Sequence, residues 1–535
     1  MDTALEASTA PSGTDDVGVI VAPSREDPTV RRFSPVIGGP SGDRVRGGRS
    51  GWWTAARVLV VLAMLVLFVG VVEKQHCREQ GWTTPDQFFH GCYSDLPLLY
   101  ETSGIAQGVM PYGHSPGATG LAQPPLTGLL TWAVGTLTPH GPAIERDRWY
   151  FDLSTGVIAV LLISLVLLTV ASTGRRRPWD ASLVALSPLL ALSALVSFDL
   201  LGITLAAAAL LAWGRSRPLL AGVLLGLAIT ARSYPVVLLL ALALVALRAG
   251  RWREWLTTAV AALVTVVAVF LPFLVVNADA VKVAYRSWWN SGASYGSLWL
   301  LPLSLPSDPK PRWTTKLGLD ATRLDPGTVT TLALLGIVLA AAVGFLMTLG
   351  AERRPRVAQV AFVVLAVVVI TGKAWPVQAS LWLLPLAALA RPRWRDHLIW
   401  AGCEATYFMG VWLYLASQTS ANRGLPGSWY SLLVVVRVAG LLWLVAMVVR
   451  DARRPELDVV RRLGDDDPLG GPFDGADDAV VVRFGDESDD LGDDLKDDFE
   501  DDFEAQPGAE AEADETDVPS PVDDDSLAAP PSRYP

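Results

Sequence analysis

The stretch Phe198–Arg253, FDLLGITLAAAALLAWGRSRPLLAGVLLGLAITARSYPVVLLLALALVALRAGRWR, decides the fold class. Three apolar runs, 199–214, 218–231 and 234–248, follow one another with almost nothing between them. Arg215 and Arg217 follow the first run, Arg232 alone follows the second, and Arg248, Arg251 and Arg253 follow the third. Arginines clustered at every second break mark the cytosolic loops of helices that cross a membrane back and forth. Each run falls short of the roughly 20 residues a spanning helix needs. Such helices stop at depth around a cavity, where irregular backbone is tolerated because protein or water covers it.

The rest of the chain extends this pattern. Its 535 residues are 51% hydrophobic and only 18% charged, and mean hydropathy is +0.36, which excludes an ordinary soluble protein. Runs able to span fall at 57–72, 150–172, 181–198, 199–214, 218–231, 234–248, 255–275, 329–350, 357–372, 378–390, 398–416 and 430–449. With a cytosolic N-terminus, Arg175, Arg176 and Arg177, Arg353, Arg354 and Arg356, and Arg391, Arg393 and Arg395 join the inner clusters. The short outer connections carry none at Asp199 and otherwise only single cations: Arg232, Lys373 and Arg423. A thirteenth span at 124–138 would invert every later cluster, and about 15 residues are too few to cross. That segment therefore reads as an interfacial or re-entrant helix on the outer face. The expectation is an all-α polytopic membrane protein of about 10–13 transmembrane helices, multi-pass in the cell membrane, with outer juxtamembrane helices and both termini cytosolic.

Charge divides the chain into three parts. Residues 451–535 hold 29 Asp plus Glu against 7 Lys plus Arg, so the net charge of −11 conceals a basic body. The acidic segment cannot bury enough apolar surface to offset its ordering entropy and reads as a disordered cytosolic tail, suited to basic cytosolic partners. Residues 1–50, rich in Ser, Pro and Gly, read as a disordered tail without a cleavable signal peptide. The membrane domain is then 51–450, with long outer loops at 73–149 and 276–328, where function is expected.

Within those loops, Cys77 and Cys92 are either a disulfide or two free thiols. His76 and His90 lack a fixed zinc-ligand spacing, so no metal site is expected there. Asp95, in CYSDLPLLY, is either a helix N-cap for 96–104 or a functional acid, since a carboxylate near a bilayer is costly to desolvate. Asp199, Arg232, and Lys373 with Gln378 interrupt apolar runs on the same side. Singly each reads as a loop-end or snorkelling group; facing one cavity they offer phosphate ligands and a base. Trp288, Trp289, Tyr295 and Trp299 suit either a sugar-stacking surface or an aromatic belt. No nucleotide or metal fingerprint appears, which disfavours a nucleotide-sugar donor, and nothing suggests nucleic-acid binding.

The order of CYSDLPLLY, GVMPY, PPLTG, the FDLLG–ITARSYP block and WPVQASLWLLPLAAL resembles glycosyltransferase family 87, polyprenyl-phosphate-sugar-dependent mannosyltransferases of the GT-C superfamily. The resemblance covers roughly residues 55–450. It implies a GT-C-like bundle that takes a hexose, mannose, from a lipid carrier on the outer face and passes it to a cell-envelope glycan or glycolipid, without a covalently bound cofactor. It places the catalytic base at Asp95 and a basic residue before a Tyr-Pro pair at Arg232 and Tyr234. Two departures stand out: Val377 separates Pro376 from Gln378, and Ala122 and Gln123 replace an acidic, aromatic pattern. Phosphate leaves readily, so fixed cations, Arg232 and Lys373, replace a glycosidase's general acid, and one base with direct displacement implies inversion. A transporter or flippase, or a silent envelope-assembly scaffold, are the rival readings.

Overall fold

The computed structural model describes residues 20–21, 26–38, 51–113, 121–301, 324–420, 423–463 and 466–482. Among these residues the regular elements are helical and no strand occurs. The helices run α1 (Pro28–Gly38), α2 (Ala55–Gln80), α3 (Asp86–Phe89), α4 (Asp95–Thr102), α5 (Pro125–Thr136) and α6 (Ala143–Ser172). They continue with α7 (Ser182–Ala185), α8 (Pro188–Ser193), α9 (Asp199–Gly214), α10 (Pro218–Ala231), α11 (Val236–Ala249) and α12 (Trp252–Asn290). The last five are α13 (Pro326–Leu349), α14 (Val357–Ile370), α15 (Ala379–Ala390), α16 (Trp394–Thr419) and α17 (Gly427–Arg453).

Two populations of apolar helix result. Helices α2, α6, α12, α13 and α17 are long and apolar enough to cross a membrane. A 26-residue helix such as α2 is about 39 Å long at 1.5 Å per residue, against a hydrocarbon core of about 30 Å. Leu65, Phe68 and Val72 of α2 and Leu335, Val338 and Leu339 of α13 stay exposed, an apolar exterior that suits lipid and not water. The shorter α9, α10, α11, α14 and α15 pack inside, and α14 is buried on nearly every side. Close approach is built in at α10, where a Cβ on Gly222 would meet the Thr258 carbonyl oxygen of α12 at 2.4 Å. Only glycine lets the two backbones touch there, as in small-xxx-small membrane interfaces.

The structure corrects several expected boundaries. The run 181–198 is not one helix: Pro188 opens α8, and Leu186 and Ser187 interrupt the run before it. The second long loop begins later than residue 276, because helix continues to Asn290 past a kink at Asn277 (φ −150°, ψ 83°). The Asn277 side chain donates to the Gly113 carbonyl at 2.8 Å and accepts from the Ala280 amide at 3.1 Å, replacing the helical bonds lost at the bend. The expected 451–535 tail is ordered at its start. Residues 455–463 and 466–482 form a strap in which Asp458 meets Arg356 at 2.7 Å and Asp478 bridges Arg248 and Arg354 at 2.7 and 3.0 Å. The 1–50 tail likewise contains α1, preceded by Glu26 on Arg177 and Asp27 on the Trp394 amide. Acidic residues read as solvated therefore neutralise loop arginines distant in sequence; residues 483–535 lie outside the described residues.

Candidate active site

Asp95 sits where two turns are hooked together. The Ser94 hydroxyl donates to the Leu195 carbonyl at 2.7 Å, and the Asp95 amide donates to the Val196 carbonyl at 2.8 Å. Ser94, not Asp95, caps α4, its oxygen accepting from the Leu96 amide. The carboxylate is thus free of the capping duty that was the alternative reading. It accepts from the Tyr93 hydroxyl at 2.7 Å and, weakly, from the Gln378 amide at 3.4 Å. Burial holds the Asp95 carboxyl above the usual carboxylate range, and the Asp199 charge adds to this, while the Tyr93 and Gln378 contacts and the Arg232 charge oppose it.

One residue beyond the same hook, Ser197 begins a second cluster. Asp199, the first residue of α9 and 1% exposed, accepts from the Ser197 hydroxyl and the Trp382 indole, each at 2.6 Å, and pairs with Arg232. Arg232 also donates to the Gln123 side-chain oxygen at 2.6 Å, and its Nε has no partner among the described residues. Gly202 makes room for the arginine, because a Cβ there would sit 3.1 Å from Arg232 Cβ and Cγ. Tyr234 stacks on Trp382 with ring centroids 4.9 Å apart and planes 6° from parallel.

The sequence motifs converge on this point. Tyr112 of GVMPY donates to the Gln123 carbonyl at 2.9 Å, and Thr127 of PPLTG donates to the Ala231 carbonyl at 2.6 Å. Beside Tyr234 and Trp382 lies a narrow, mainly apolar groove, lined by Ile203, Ala206, Leu210, Leu238 and Leu386 among others and reaching Ser172 at the end of α6.

Of the residues singled out in the sequence, Asp95, Asp199, Arg232, Tyr234 and Gln378 come together. Lys373 does not join them: it is 3% exposed, and its ammonium donates to the carbonyls of Trp288, Trp289 and Ser291 at 2.9, 3.2 and 3.0 Å. All three N–H groups are spent on the C-terminal end of α12, so the phosphate-binding role expected of it is replaced by a helix-capping one. Trp289 and Tyr295 are 58% and 40% exposed. Cys77 and Cys92 are disulfide-bonded.

Four partners escaped the sequence reading: Tyr93, Gln123, Ser197 and Trp382. Two carried a signal, since Tyr93 lies two residues from Asp95 and Trp382 one helical turn from Gln378. A second omission is the Glu404–Arg437 pair between α16 and α17, whose guanidinium also donates to the carbonyls of Trp375 and Pro376. It anchors the turn that presents Gln378.

A helical membrane body that gathers a carboxylate, an ion pair and stacked aromatic rings at one end of a groove defines a multi-pass membrane protein built around a polar site. Residues 123–375 match the family model of glycosyltransferase family 87, and the chain is a membrane glycosyltransferase. The match contains Gln123, Asp199, Arg232 and Tyr234, whereas Asp95, Gln378 and Trp382 flank it. No curated protein matches the chain.

Proposed function

We propose that the protein transfers a hexose, mannose, from a polyprenyl-phosphate carrier to a cell-envelope glycan or glycolipid on the outer face of the membrane, through a GT-C-like site. The observation that supports this most is the juxtaposition of a half-buried carboxylate without a capping role, a guanidinium whose Nε has no partner among the described residues, and an apolar groove lined by the Tyr234 and Trp382 rings beside them. An acceptor hydroxyl attacks the anomeric carbon as its proton passes to Asp95, and the bond from that carbon to the phosphate oxygen breaks, releasing polyprenyl phosphate. A carboxylate kept above its usual range is the stronger base for this step. Arg232, turning from Gln123, binds the phosphate as charge develops. Asp199, held by Ser197 and Trp382, fixes the guanidinium. The groove takes the first isoprene units of the carrier. Direct displacement with one base inverts the anomeric centre. Trp289 and Tyr295 on the loop face offer stacking surfaces to the acceptor's sugar rings.

The test is transfer of radiolabel from polyprenyl-phosphate-mannose in membranes containing wild-type protein or Asp95→Asn at equal levels, with the exposed Glu352→Gln as control. Label entering a glycan or glycolipid with wild type and control alone supports the reading. Equal incorporation by Asp95→Asn removes Asp95 from the chemistry, and no incorporation above empty membranes rejects the donor.

A further inference from the structure

The first long loop carries a second cluster of ligating groups, separate from Asp95. His76 near the end of α2, Asp86 at the start of α3 and His90 just after it bring one ligand atom each within 4.8 Å of the others. His76 Nε2 lies 2.7 Å from one Asp86 carboxylate oxygen, and His90 Nε2 lies 3.5 Å from the other. The imidazole rings stack with centroids 3.5 Å apart. The Cys77–Cys92 bond closes the segment within two residues of both histidines, so a covalent link holds together the stretch of chain that carries all three groups.

We infer that His76, Asp86 and His90 form a zinc-class divalent cation site. Zinc–nitrogen and zinc–oxygen bonds of about 2.0–2.2 Å at a tetrahedral centre separate neighbouring ligand atoms by roughly 3.3 Å, a value that the two histidine–carboxylate spacings of 2.7 and 3.5 Å bracket. Two imidazoles and one carboxylate favour a borderline transition metal over the oxygen-seeking calcium and magnesium. Half-exposed side chains leave the rings free to turn their Nε2 lone pairs toward one centre, with water as fourth ligand. Without a metal this constellation contributes little, since attraction within partly exposed histidine–carboxylate pairs is screened by solvent. His90 is five residues from Asp95. Phe88 and Tyr93, on either side of the disulfide-bonded Cys92, both pack on Trp412 with centroids 6.3 and 4.8 Å away. A cation joining α2 to α3 therefore stiffens the same aromatic wall that supports the Asp95 turn.

The experiment uses full-length protein in detergent, stripped with chelator and titrated with Zn²⁺ or Mg²⁺ alone. Expected are one bound zinc per chain after gel filtration, a raised unfolding temperature with zinc and none with magnesium. His76→Ala and His90→Ala should each abolish stoichiometric zinc while keeping the disulfide and the metal-free unfolding temperature. Should either variant fold poorly, zinc protection of His76 and His90 from diethylpyrocarbonate in the wild type decides instead. Absence of stoichiometric zinc, zinc retained by well-folded His76→Ala/His90→Ala, or modification of both histidines unaffected by zinc overturns the site.

Discussion

The two ends of the helical body treat buried charge in opposite ways. At the arginine end, Arg248, Arg356 and Arg391 are essentially unexposed and saturated: Arg391 holds Asp396 and Asp451, Arg356 holds Asp458 and two carbonyls, and Arg248 holds Asp478 and three carbonyls. At the loop end, Asp95 has one good donor and one long contact, and Arg232 keeps an unpartnered Nε. Desolvated charges are tolerable when every donor and acceptor is filled, so the saturated pairs act as architecture. The contrast holds for these particular groups: Arg248, Arg356 and Arg391 are filled from several directions, whereas Asp95 and Arg232 are not.

The largest expected break in this contrast is Asp95→Asn, which should lower kcat by about 10²–10⁴-fold, the usual worth of a general base, while leaving the unfolding temperature unchanged. At the other end Arg356→Met should do the reverse. Stranding Asp458 should cost about 3–5 kcal/mol of stability, with activity per folded molecule retained, and Arg356→Met/Asp458→Leu should recover most of the loss in denaturation experiments. A fall in specific activity in that double variant would mean the ends are coupled and the contrast is too simple.

Smaller substitutions sharpen the comparison. Trp382→Phe removes the indole donor to Asp199 while keeping a ring against Tyr234, and should cost about 1–3 kcal/mol, seen as reduced kcat/KM. The smallest effect is a shift in pH dependence. As the proposed base, Asp95 would have to be deprotonated, and its pKa is raised by burial, so kcat/KM should fall as pH drops through a value above the ordinary aspartate figure of about 3.9. The Tyr93 hydrogen bond opposes the raised pKa, so Tyr93→Phe should move that acid limb to higher pH. A limb that stays put would detach it from Asp95.

Hydropathy and arginine alternation made the helices legible because a bilayer imposes length and sidedness on every segment. Asp95, Asp199 and Arg232 were legible for the same reason, as isolated charges in apolar surroundings are rare. Lys373 shows where that reasoning fails, since carbonyls at a helix end satisfy a cation as well as a ligand does. The strap was illegible in composition: Asp458 and Asp478 look like the rest of an acidic tail, and their partners lie 102 and 230 residues away. The break in 181–198 was hidden because Ser187 and Pro188 only briefly interrupt an apolar run.

Helix α14 and the outward side of α2 are equally greasy in sequence, yet they should drift differently through evolution. On α2, Leu65 and Phe68 face outward, and any residue that lipid accepts can replace them. On α14, Phe362, Val363, Val364 and Leu365 are sealed inside protein, where interiors packed like organic crystals tolerate only volume-conserving exchange. Selection on α2 therefore acts on solubility in hydrocarbon, and on α14 it acts on shape.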